Sequence, residues 1–69
     1  MIQLEDTFRV NLNSLIRDRG LTHNSASVVI GMSQSHLTKI LNGITVPSLR
    51  TVSNICQKLV VDPVAMLEE

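Results

Sequence analysis

A chain of 69 residues makes one small domain that buries only about 60% of the surface its unfolded form exposes, which excludes a deep enzymatic cleft. Apolar residues make up 43%, but Phe8 is the one aromatic, so the core must come from Leu, Ile, Val and Met, a composition that suits helical packing. The formal charge is zero, yet all six acids fall at Glu5, Asp6, Asp18, Asp62, Glu68 and Glu69. Residues 19–61 therefore carry Arg19, Lys39, Arg50 and Lys58 and no carboxylate, a locally cationic middle that a polyanion can approach.

No run reaches the roughly 18 to 20 apolar residues of a membrane span, and the start MIQLEDTFRV carries acids where a signal region carries bases. No membrane association and a soluble, cytoplasmic setting are expected. Leu4, Phe8, Leu12, Leu15 and Ile16 form one stripe at spacings of three and four, which predicts a first helix from about Glu5 to Arg19. Gly20 supplies its C-cap, and Arg17 and Arg19 complement the helix dipole at that end. Thr22 is placed to cap a second helix over His23 to Ile30, and Ser33 a third over Gln34 to Leu41, ended by Gly43.

Pro47 makes residues 44–47 a loop. Ser48 or its neighbour starts a fourth helix carrying Leu49, Val52, Ile55, Cys56 and Leu59. Asp62 followed by Pro63 is an N-cap and a first-turn proline, so a short fifth helix takes Val64 to Leu67. There are no repeats and no linker long enough to divide the chain. The reading is a single all-α unit over residues 1–69.

Between the second and third helices Gly31 sits where two steeply crossing helices need a short turn, which a glycine permits through positive φ and close backbone approach. Ala26 and Ile30 face inward before it, and Met32, Leu37, Ile40 and Leu41 after it. Gln34, Ser35, Thr38 and Lys39 are left as an outward set whose amide, hydroxyl and ammonium groups match base edges and phosphates. This is the outline of a helix-turn-helix DNA reader. Gln34 can pair with adenine through its amide, and Lys39 can take guanine or a phosphate. Arg50, early in the fourth helix, stands at the end that the dipole disfavours for a cation, so a phosphate partner is the better account of it.

The stretches GLT at Gly20 to Thr22, the turn Ile30, Gly31 and Met32, the segment SQSHLTKILNG from Ser33, the loop VPSL and the closing VVDPVAMLEE together resemble the lambda-repressor-like, Cro and Xre type helix-turn-helix regulators of phages and bacteria. The resemblance covers nearly the whole chain. It implies a compact five-helix fold, usually a homodimer, that binds double-stranded DNA at an inverted-repeat operator and controls transcription. Carried over by position, it implies that Gln34, Ser35 and Lys39 read base edges with His36 and Thr38 beside them. Asn42 would clamp a phosphate, with Thr45 in the following loop near the same strand. Where the family often has a glutamine that bridges a phosphate and the recognition glutamine, this chain has His23. Dimerisation by family habit is placed at Val60, Val61, Val64 and Leu67.

Three departures from the family pattern bear on function. Ser27 stands where alanine is usual and the two helices approach most closely. Val28 and Val29 stand at commonly charged positions, reading either as an apolar surface for a partner or as a deeper core. Residues 1–6 lack the basic arm of some relatives. The competing function is therefore a helical protein-interaction module whose docking surfaces are Val28, Val29 and the Val60, Val61, Val64 group, or an antitoxin-type regulator whose exposed valines mark the toxin side.

Catalysis finds no support, with no paired carboxylates and no glycine-rich phosphate loop. Cys56 sits in an apolar-periodic segment as a core residue, and with His23 and His36 differently placed no metal site is expected. Neither a cofactor nor a small-molecule ligand is expected.

Overall fold

A computed structural model describes residues 4–68, with side chains from Asp6 onward. It contains α1 (Leu4–Asp18), α2 (His23–Ile30), α3 (Gln34–Leu41), α4 (Leu49–Leu59) and α5 (Pro63–Met66); among the described residues there is no strand. The polar caps set the boundaries. The hydroxyl of Thr22 accepts from the Ser25 N–H, and Ser25 Oγ in turn accepts from the Thr22 N–H, a reciprocal capping box at the start of α2. Ser33, Ser48 and Asp62 cap α3, α4 and α5 through their side chains. Pro63 takes the first position of α5, where its missing N–H would have had no helical partner. That helix runs one residue earlier than the sequence pattern places it, and Leu67 is its cap.

The C-termini of α2 and α4 are capped in left-handed backbone, by Gly31 and Val60. Gly31 caps α2 at φ 85°, and both its own N–H and that of Met32 donate to the Ser27 carbonyl. Gly20, with φ 69°, turns the chain out of α1. Gly31, Met32 and Ser33 are the whole turn between α2 and α3.

The core is largely the predicted set, with Met66 added and Leu49 left out. Phe8, Leu12 and Ile16 of α1 meet Ala26 and Ile30 of α2, Leu37, Ile40 and Leu41 of α3, Val52, Ile55, Cys56 and Leu59 of α4, and Met66 of α5. Leu15 and Met32 pack on its rim, while Leu4 lies outside the described side chains. Leu49 departs from the expected α4 stripe: it is 84% exposed. It is the first residue after the Ser48 cap, so the stripe becomes buried only from Val52 onward.

Helix α2 packs against both α3 and α4, α1 against α3 and α5, and α4 against α5. Two asparagines of α1 join distant segments. The Asn13 side-chain nitrogen donates to the Leu41 carbonyl at 3.1 Å and to its own helix at Arg9, and that of Asn11 donates to the carbonyls of Met66 and Glu68, each at 2.8 Å. Helix α1 thereby holds the last turn of α3 and the end of α5.

Candidate nucleic-acid interface

Helix α3 buries Leu37, Ile40 and Leu41. At about 100° per residue, Ser35, Lys39 and Asn42 fall opposite that buried stripe. Gln34 and Thr38, four apart, line one flank, and His36 lies on the other, roughly 160° around from Gln34. Gln34, Ser35, His36, Lys39 and Asn42 are exposed and Thr38 is half-buried. The sequence-predicted outward set is thus one surface, but His36 does not share the Gln34–Thr38 side. Ser33 orders the first turn by accepting the His36 N–H.

Thr38 is half-buried because α2 reaches it. Nδ1 of His23, the first residue of α2, lies 3.3 Å from Thr38 Oγ1, the one hydrogen bond joining side chains of the two helices among the described residues. At the other end of α3 the Asn42 N–H donates to the Thr38 carbonyl at 2.9 Å, and the Ile44 and Thr45 N–H groups both reach the Lys39 carbonyl. Asn42 and Thr45 therefore sit in a hydrogen-bonded turn that continues α3. Arg50 is exposed in the first turn of α4, and no bond among the described residues links it to the α3 set.

Ser27 is 3% exposed, and its hydroxyl donates to the Asn24 carbonyl at 2.6 Å, so the serine is buried with its polar group satisfied within α2. Val28 is 74% exposed and Val29 46%, which selects the surface reading over the deeper core. Of the residues assigned to a dimer contact, Val60 and Val64 are 86% and 61% exposed, whereas Val61 and Leu67 pack against the chain's own core.

The one ion pair among the described residues joins Arg9 to Asp6 at 3.9 Å, on α1, so none engages Lys39, Arg50 or Lys58. Thr45, Arg9, Gly43 and Pro47 help line a cavity of about 30 Å³, room for about one water and far below the roughly 300 Å³ at which ligand pockets begin. No three of His, Cys, Asp or Glu among the described residues gather as metal ligands. Among the described residues, no helix is long and apolar enough to cross a membrane.

The architecture and this surface define a helix-turn-helix protein. A family model described as a helix-turn-helix domain matches residues 9–69, and the chain belongs to that family, in keeping with its resemblance to the Cro and Xre type regulators. Its partner class is DNA and its role regulatory. No curated protein and no solved structure matches it.

One contributor, Asn13, was missed in the sequence, and one named there, His23, has a partner the sequence did not give. Asn13 holds the last turn of α3, and His23 lies within hydrogen-bond distance of Thr38. For Asn13 the available signal was a polar residue on a half-buried face of an otherwise amphipathic helix.

Proposed function

We propose that this chain is a Cro-like transcriptional repressor that binds a palindromic operator as a homodimer and acts in the cytoplasm. Gln34, Ser35 and Lys39 read base edges in the major groove, with Thr38 and His36 on their flanks. His23, Asn42, Thr45 and Arg50 contact phosphates and so fix position without specifying sequence. The observation that carries the reading is the exposed face of α3, a continuous row of donors and acceptors in a stretch of sequence free of carboxylates. Size supports dimerisation. The longest dimension of one chain is 31 Å, short of the roughly 34 Å between successive major grooves, so one copy serves one half-site.

Selection of bound duplexes from a randomised library, at one stated moderate salt concentration, tests this. The expected product is an inverted repeat with half-site centres about one helical turn apart. Replacing Gln34 and Lys39 together by alanine removes about 2–6 kcal/mol of discrimination if each makes a good base contact, while leaving the helical circular dichroism intact because both are exposed. Undiminished operator affinity in that double variant would refute the assignment.

A second reading is favoured by one observation, the exposure of Val28 and Val29 on α2, an antitoxin-type regulator that holds a protein partner on that helix. A protein that co-purifies with the wild type and is lost from a Val28→Ser, Val29→Ser variant distinguishes it.

A further inference from the structure

The contact between His23 and Thr38 has a chemical consequence for sequence reading, one that rests on the operator-reading role proposed for α3. A threonine hydroxyl is both a donor and an acceptor, so alone it accepts any base edge and discriminates weakly. Here its partner is imidazole Nδ1 at 3.3 Å across the helix crossing. In a neutral imidazole one nitrogen donates and the other accepts. A phosphate oxygen only accepts, so with the ring neutral a phosphate seated on Nε2 selects the tautomer with the proton on Nε2 and leaves Nδ1 bare. The Thr38 hydroxyl must then donate to Nδ1, and only its lone pairs remain for DNA.

We propose that His23 fixes the hydrogen-bond polarity of Thr38, making it an acceptor that recognises an exocyclic amino group, adenine N6 or cytosine N4, on the strand it faces. His23 is in this view a positioning residue for specificity as well as a phosphate contact. Three observations fit this role: Thr38 lies on the flank of α3 that carries Gln34, four residues before it; it is half-buried, still open to a base on one side; and the bond comes from the first residue of α2. No carboxylate lies on α2, α3 or α4 to compete for the ring, the other titratable or charged side chains there being His36, Lys39, Arg50, Cys56 and Lys58.

The test uses the full chain and the motif selected by the wild type, with binding measured to duplexes carrying each of the four bases at each position. Thr38→Val, which keeps the shape and removes the hydroxyl, is expected to flatten the preference at one position, where the wild type favours adenine or cytosine by about fivefold or more. Thr38→Ser is expected to keep it. His23→Ala is expected to make guanine and thymine as acceptable as adenine and cytosine at that same position, with neighbouring positions unchanged. His23→Phe, which fills the same space without a ring nitrogen, stands in for it should alanine loosen α2.

A contact that merely braces the two helices gives a different result: the His23 variants weaken all four duplexes equally and keep the preference, which overturns the proposal. It is also overturned if Thr38→Val leaves every position as it was, or if the preferred base at that position is guanine or thymine. A wild-type chain that selects no motif at all overturns the operator reading itself and this inference with it.

Discussion

At the scale of single residues, Gly31 and Cys56 show how backbone and burial set stability in a domain with little to spare. A Cβ added at Gly31 would meet nothing within 4 Å, so there is no steric crowding to add to its left-handed φ of 85°. Gly31→Ala is then expected to lower stability by about 1–2 kcal/mol from backbone conformation alone, a fall in Tm of several degrees in a domain this small, read by thermal unfolding. A fall much larger than this would mean that the turn itself had moved. Cys56 is fully buried, and burial, with a smaller push from the Asp62 carboxylate, raises its thiol above the ordinary value. Because the unfolded chain ionises first, the stability held by the neutral thiol is intact below about pH 8.5 and is lost as pH rises above that. Denaturant unfolding of wild type and Cys56→Ala at neutral pH and near pH 10 should show the difference between them shrinking at the higher pH. A constant difference would mean that the thiol is not held neutral.

Among the elements, the helices were largely legible because the starts of α2 to α5 each carry a short polar cap and the first three end near a glycine. Thr22, Ser33, Ser48 and Asp62 all act where local chemistry puts them, and the apolar spacing of α1 to α4 names most of the core. What the pattern could not give are properties of how helices meet. Leu49 obeys the α4 periodicity but sits in the first turn, where it stays exposed. Asn13 reaches a carbonyl 28 residues away and Asn11 one 55 residues away, pairings that no local window contains. The His23 contact, 15 residues across the turn, is of the same kind. On the exposed face of α3, the residue set was evident from which positions are apolar, but its division into two flanks needed the helix seated against α2. Asn13→Ala removes the donor that satisfies the Leu41 carbonyl, and a loss of about 1–2 kcal/mol is expected. Faster hydrogen exchange confined to the last turn of α3 and the turn after it would locate that loss; exchange that quickens uniformly would assign Asn13 to the fold at large.

For the whole molecule, the proposed homodimer needs an apolar face to bury, and Val60 is the residue that frames it. A β-branched side chain in left-handed backbone, φ 56° and ψ 53°, costs about 1–2 kcal/mol, and at 86% exposure it recovers almost nothing by burial within one chain. A dimer that covers Val60 and Val64 would return that energy, since fully burying one valine contributes about 1.5 kcal/mol or more. Val60→Gly is therefore expected to act in opposite directions: the isolated chain gains about 0.5–1 kcal/mol after allowing for the greater freedom of glycine when unfolded, while self-association weakens. Unfolding at high dilution and sedimentation equilibrium separate the two effects. Unchanged association would move the interface elsewhere, and a less stable monomer would refute the strain.

The same residue also bears on how the chain tolerates mutation. Every valine codon becomes a glycine codon through a single change at its second base, so relief from the left-handed strain lies one mutational step away. A lineage in which Val60 served nothing would meet that change often and gain a sturdier fold each time. The valine at this position is thus a marker that sequencing can follow: in a population selected for thermal stability alone, glycine at position 60 should be among the early arrivals, and under selection for regulation it should be purged.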